Sequence, residues 1–359
     1  MKKTSVTIMA LISIIIASSL FGEDDKIKIK GDFRYRHETI DQNSEDTRNR
    51  HRIRMRLGLT AIINQDINAA IQFSSGGDDP VSNNQTLGDS FSTKDTRLDL
   101  AYVVWKPKQI NGLELYGGKL KNPYLSMQKS ELLWDPDLNP EGIAGKFDYN
   151  LDQFDLFING GFFWIEERSD DDDSYLAGGQ AGIQYSFPDE ESYIIVGGGY
   201  YDYLNTQGFT PFYDEDGSGN SLDNDGNYRE DYNELDFFAE AGTIIRTLPV
   251  AIFGDIVTNT AADEDNLGWL AGINLGKTKN PGSWKVRYQY KYQEKDAVIG
   301  IFTDSDFLGG GTNGRGHEIN FDLVIMENTT FATTYFINQI DLDNETDFNR
   351  LQVDLSFKF

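Results

Sequence analysis

Arg50, Arg52, Arg54 and Arg56 occupy every second position of one short segment. In an extended strand residues two apart share a face, so all four guanidiniums point the same way. The intervening Ile53, Met55, Leu57 and Leu59 point the other way and make an apolar face. Four permanently charged groups on one face suit the attraction of anions, or the setting of a field across a wet space. Arg34 and Arg36 alternate with Phe33 and Tyr35 in the preceding segment, and an 11-residue connection brings them roughly opposite Arg54 and Arg52. Like charges so placed repel, which calls for acids nearby. Asp32 is one candidate, and Glu131, Asp135, Asp137 and Glu141 are the others. Pro136 and Pro140 stiffen the stretch that carries those four acids, and Trp134 and Leu138 are suited to anchoring it. Lys285, Arg287 and Lys291 repeat the one-sided pattern opposite Trp284, Val286, Tyr288 and Tyr290. The competing reading is that these cations are ordinary wet-face residues paired with local acids.

A second group of residues suits hard cations. Asp214, Asp216, Ser218, Asn220 and Asp225 space oxygen ligands much as a calcium loop does, although Asp225 stands where a Glu is expected and no flanking helices are evident. Loosely held Ca2+ on a solvated loop is therefore the only cofactor expectation, and Asp170–Asp173 reads the same way. Catalysis has little to work with. The chain has three His and no Cys, and the parity of His37, His51 and His317 puts all of them on the outward face. No Ser/His/Asp set can be assembled, so an enzyme is not expected.

Positioning the arginine face requires a sheet, and the whole chain supplies one. Sixteen alternating segments of about 8–15 residues can be laid down. They span 26–38, 50–63, 67–75, 97–105, 112–120, 142–149, 153–165, 175–186, 192–203, 232–244, 248–259, 267–276, 282–294, 314–325, 329–339 and 349–359. The connections between them alternate between long (39–49, 76–96, 121–141, 166–174, 204–230, 260–266, 295–313, 340–348) and short ones of 3 to 6 residues. The long set carries 33 acids against 7 Lys+Arg, a net charge equal to the −26 of the whole chain, so one rim is an acidic crown. That charge argues against nucleic acid as a partner, because neutralising phosphates needs a basic face. With 23 Phe, 18 Tyr and 5 Trp the chain is too aromatic for a disordered acidic one.

The ends point to export. Met1–Lys3 is basic, Val6 to Leu20 is largely apolar, and small residues follow up to Gly22, the layout of a cleaved signal peptide over 1–22. The remainder, 23–359, contains no run of 18 apolar residues, so it crosses no membrane as a helix. The last segment alternates Leu351, Val353, Leu355, Phe357 and Phe359 with polar residues. The expected fold is all-β: a transmembrane antiparallel barrel of about 16 strands, closed because an unpaired backbone group in hydrocarbon costs several kcal/mol.

The terminal Phe357 and Phe359 resemble the C-terminal membrane-insertion signal of Gram-negative outer-membrane barrels, which implies the barrel assembly machinery as a partner. The strand count, leader and terminal Phe together resemble the general diffusion porins. Two local stretches, Trp134 to Ala144 and Leu308 to His317, look more like the family catalogued as "putative porin". The resemblance covers the mature chain. It implies a water-filled channel for passive diffusion of small hydrophilic solutes and ions, often a homotrimer, in outer-membrane lipid and lipopolysaccharide. It also implies that the third long loop, 121–141, folds into the lumen with its acids facing a basic cluster. A substrate-specific channel and a non-conducting adhesin or structural barrel remain open beside it.

Overall fold

The computed structural model describes residues 26–43, 45–213 and 215–359. The expected leader over 1–22 and Asp214 of the calcium-like loop lie outside the described residues.

The chain forms one closed antiparallel sheet. Its strands are β1 (Ile27–Gln42), β2 (Arg48–Ile62), β3 (Ile67–Ser75), β4 (Gln85–Thr86), β5 (Thr96–Trp105), β6 (Leu113–Lys119), β7 (Glu141–Leu151), β8 (Phe154–Glu166) and β9 (Ser174–Ser186). They continue as β10 (Tyr193–Leu204), β11 (Tyr232–Ile245), β12 (Leu248–Asn259), β13 (Leu267–Gly276), β14 (Trp284–Gln293), β15 (Gly314–Met326), β16 (Thr329–Ile340) and β17 (Thr346–Lys358). β4 is a two-residue piece inside a loop, and β3 pairs directly with β5, so the wall itself has 16 strands. β1 closes the sheet against β17, from Asp32 opposite Lys358 to Gln42 opposite Phe348. Phe359 completes the seam, exchanging backbone hydrogen bonds with Gly31 at 2.9 and 3.0 Å. Closure leaves no strand edge to meet hydrocarbon.

The outer face is apolar and unprotected by protein. Ile143, Ile158, Phe237 and Ile252 are each more than half exposed, a placement that only a lipid surround makes favourable over so many strands. Exposed Trp105, Trp164 and Trp284 stand at strand ends, where aromatic girdles belong.

One expectation needs correction. The strict alternation of long and short connections does not hold, because the ladder of several strands runs further than the sequence pattern indicates. β1 continues to Gln42, leaving 43–47, and the last outer loop shrinks to 341–345. Both are shorter than the opposite-side turn 106–112. Four loops are truly long: loop 2 (76–95), loop 3 (120–140), loop 5 (205–231) and loop 7 (294–313).

Those loops change the interior. Beside β8 to β13 the lumen is packed rather than wet, with Leu120, Met127, Leu132 and Leu133 of loop 3 and Val298 and Ile299 of loop 7 buried against Phe163, Tyr201, Tyr203, Phe238 and Phe253 of the wall. Gly182 and Gly272 make room for this layer: a Cβ at either would run into the ring of Phe157 or Phe253. The open part of the lumen is therefore displaced towards β1–β3 and β14–β17.

Candidate constriction site

Loop 3 is held to the wall by its backbone. Gln180 of β9 accepts from Leu125 N at 2.7 Å and donates to Leu125 O at 3.0 Å. Arg287 of β14 donates to the carbonyls of Gln128 (3.1 Å) and Lys129 (3.0 Å), Lys291 to that of Glu131 (3.2 Å), and Gln293 to that of Leu132 (2.9 Å). Trp134 Nε1 donates to Tyr203 Oη at 3.0 Å. Two of the three wet-face cations of β14 therefore serve as loop anchors. Lys291 is buried beneath loop 3 with its ammonium 4.2 Å from the centre of the Phe307 ring. Lys285 pairs with Asp322 at 3.1 Å and borders the open lumen.

Opposite loop 3 stands the arginine wall. The β1–β2 register puts Arg34 across from Arg54 and Arg36 across from Arg52. Six guanidiniums on two adjacent strands would repel, and each is met by an acid. Arg50 and Arg52 share Glu38. Arg54 and Arg56 share Asp32, at 3.2 and 2.8 Å, and both reach Asp137 of loop 3, at 3.7 and 3.2 Å. Arg36 takes Asp354 of β17 in a fork of 2.7 and 2.8 Å and Asp306 of loop 7 at 2.9 Å. Arg34 lies 3.6 Å from Asp354 and donates to Asn84 of loop 2 at 2.6 Å. Arg350 of β17 binds the other oxygen of Asp306 at 2.7 Å.

The structure distributes the four loop 3 acids unequally. Asp137 meets the arginines directly. Asp135 is buried and turned towards loop 7, where it accepts from Ser305 N at 3.1 Å. Glu131 borders the same cavity, and its carboxylate, that of Asp135 and that of Asp304 all lie within 4.8 Å of one another. Glu141 is elsewhere: it is exposed at the start of β7 and pairs with Lys119 at 2.9 Å, away from the arginines. Burial, then repulsion from Asp304 and Asp135, pushes the Glu131 carboxyl well above its ordinary range. Asp135 is raised in the same way, by burial first and then by Asp137 and Asp304. Asp306 shows the opposite balance: burial opposes its charge, but Arg36 and Arg350 outweigh it and hold the carboxyl far below the usual range.

The result is a cavity of about 330 Å³ lined by seven basic and eight acidic side chains, under a vestibule of about 600 Å³ that includes Arg48, Arg50, Arg52 and Arg350. Ser305 borders both spaces, so loop 7 lies between the vestibule and the smaller cavity. Glu131, Asp135 and Asp304 are the only acidic trio among the described residues with metal-holding geometry. In the calcium-like loop, Asn220 is committed elsewhere, donating to the carbonyls of Lys295 and Val298 and accepting from Gly300 N. Asp216 caps Ser218 N, and Asp225 belongs to a separate turn closed by Asp223.

Several site residues escape the sequence reading. Glu38 shares strand parity with Arg34 and Arg36, and Glu318, Arg350 and Asp354 alternate with the outward-facing His317, Leu351, Val353 and Leu355, so alternation was a signal for them. Asp304 and Asp306 have no such pattern, since only the inward fold of loop 7 makes them part of the site. His37, His51 and His317 are on the outer face, with Tyr35 Oη 2.8 Å from His51 Nδ1 and Tyr288 Oη 2.9 Å from His317 Nδ1. Phe357 is on the outer face near Phe33, and Phe359 is exposed at the seam.

A closed 16-strand wall with an apolar exterior and a charged, loop-narrowed interior defines a transmembrane β-barrel of the porin class. The family model described as "Putative porin" matches residues 23–229 and 218–359, and the chain belongs to that family. Solved barrels share the fold at low identity. Pseudomonas putida OprB aligns with a TM-score of 0.60 and 8% identity over 93% of this chain and 94% of its own. Salmonella typhi OmpF, in a complex with daunomycin, aligns at 0.58 and 11% over 93% and 97%. The trimer form of Vibrio cholerae OmpT aligns at 0.52 and 12% over 93% and 100%. No curated protein sequence matches this chain.

Proposed function

We propose that this outer-membrane barrel conducts small hydrophilic solutes and ions by passive diffusion, and that its selectivity is set where loops 3 and 7 face the arginine wall. The observation that carries this reading is the pair of charged sides bordering one cavity, Arg34, Arg36, Arg54 and Arg56 against Asp137, Glu131 and Asp304. Charges fixed across a narrow wet space order permeating dipoles and discriminate ions. The reading includes an exported chain with a cleaved leader over 1–22, lipopolysaccharide around the rim and a homotrimeric assembly. The trimer form recorded for the Vibrio barrel supports that last element. No catalytic role is included.

The test is single-channel recording in planar bilayers under a KCl gradient, comparing wild type with the double variant Arg54→Ala/Arg56→Ala. We expect conductance steps, and a reversal potential moved towards cation preference in the variant. Silence from a barrel shown folded by heat-modifiable gel mobility refutes the channel. A solute-selective channel is the second reading, favoured by the extent to which loops 3, 5 and 7 occupy the lumen. Liposome swelling separates the two: dependence on solute size alone supports general diffusion, and saturable uptake of one solute supports selectivity.

A further inference from the structure

Behind the constriction, loop 3 encloses a second space of about 260 Å³ against β9 to β12. One side is aromatic. Tyr124 stacks on Trp134 with ring centres 5.1 Å apart, and Tyr201 meets both edge-on at 4.8 and 4.5 Å. The other side holds Asp236 of β11 and Asp255 of β12, which are 3% and 8% exposed. Their carboxyl groups are within hydrogen-bonding reach of each other. Asp255 Oδ2 accepts from Ser130 Oγ at 2.7 Å, while Asp255 Oδ1 and Asp236 Oδ1 are buried with no hydrogen-bond partner.

Two buried carboxylates in contact cannot both carry charge without a positive group between or beside them. Among the described residues the protein supplies none directly. Lys121 and Lys129 border the space, but neither forms an ion pair with either Asp among the described residues. Counting Glu131 and Asp135, acids outnumber bases there four to two. The compensating charge must be a proton or a cation from the lumen. The pocket's chemistry distinguishes between kinds of cation. A small metal ion would gain nothing from the ring wall, whereas an ammonium on an apolar stem gains both the orphaned oxygens and the aromatic faces. A cavity of about 150 Å³ already holds benzene, so the volume here admits a ring and an aminoalkyl arm.

We propose that the pocket between loop 3 and β9–β12 binds small primary ammonium compounds carrying an apolar or aromatic stem, with the ammonium on Asp236 and Asp255 and the stem against Tyr124 and Trp134, which the buried Tyr201 backs. The inference needs a wet lumen but not conduction. Its test is calorimetric titration of the full-length protein, folded in detergent at mildly alkaline pH, with benzylammonium chloride and with benzyl alcohol as the neutral isostere. Saturable binding of benzylammonium is expected, with benzyl alcohol weaker by about tenfold or more, the value of a charge-assisted hydrogen bond. The double variant Asp236→Asn/Asp255→Asn should lose that preference, and Tyr124→Leu should weaken benzylammonium while preserving its advantage over the alcohol. Absence of saturable binding to wild type, equal binding of alcohol and ammonium, or an unchanged preference in the double variant overturns the proposal. The wild-type comparison holds even if the double variant does not fold. Conductance recorded on the same preparation separates the two readings: a conducting barrel that ignores benzylammonium refutes the pocket alone, and a silent barrel that binds it refutes the channel alone.

Discussion

Asp306→Asn tests whether loop 7 is part of the constriction or a passive lid. Asp306 gives one oxygen to Arg36 and the other to Arg350, at 2.9 and 2.7 Å. An amide keeps the shape but turns one charge-assisted acceptor into a neutral one and the other into a donor facing a guanidinium. Losing about 1–1.5 kcal/mol at each contact amounts to about 2–3 kcal/mol in attachment of the loop. Arg36 keeps its fork on Asp354, whereas Arg350 loses its only ion pair among the described residues. That free energy corresponds to roughly a 30- to 150-fold rise in the detached population. Hydrogen exchange of amides 300–311 should accelerate by that factor while the β1–β17 seam keeps its protection. Single-channel records should show added flicker and a shift towards anions, because one negative charge has left the cavity. If loop 7 exchange and the reversal potential both match wild type, the loop is held by its buried Ala297, Val298 and Ile299 alone and the ion-pair argument fails.

Two further outcomes follow from the same geometry. Raising the pH from the ordinary carboxylate range through the elevated Glu131 and Asp135 values adds charge to the cavity, so cation preference measured by reversal potential should grow; Glu131→Gln should blunt that change. Gly112→Ala should lower the free energy of barrel unfolding, read from urea titration, by about 1–3 kcal/mol, since this residue sits at φ +86° and a Cβ would collide with the carbonyl of Asp148.

The wall was legible because a barrel strand writes its two environments into alternate residues. Arg50 to Leu59 names its strand, its lipid face and its wet face in ten letters, and Glu318 to Ile325 does the same for β15. Strand ends were less legible, since above the lipid a ladder continues without any apolar requirement, as β1 does from Thr39 to Gln42. The packed half of the lumen went unread for a different reason. Tyr193 to Leu204 is apolar or glycine at nearly every position, which means that both faces are covered, yet nothing in that strand names the loop that covers the inner one. Loop 7 joins the site through contacts made across the barrel, and its Asp304 and Asp306 carry no local spacing that announces them.

The charge pattern also bears on a conflict within the molecule. In the proposed channel the acidic rim would favour cations and the arginine ladder anions. At the cavity the two signs nearly cancel, seven bases against eight acids, so a full complement of charge leaves a slight negative excess. Burial and mutual repulsion keep Glu131 and Asp135 protonated further up the pH scale than ordinary carboxyls. While both hold their protons, six charged acids face seven bases and the excess is positive. Two protons at the junction of loops 3 and 7 are therefore enough to reverse the sign at the narrow point, whatever the crown outside carries. The same protons steady the contact: an acid whose pKa is raised in the folded state binds its proton more tightly there, so stability falls as pH climbs from the ordinary carboxylate range towards the raised value. Alkaline conditions should thus make the pore more cation-preferring and loosen loop 3 from loop 7 together, and a change in selectivity without any change in loop 7 exchange would show that the two are not linked through Glu131, Asp135 and Asp304.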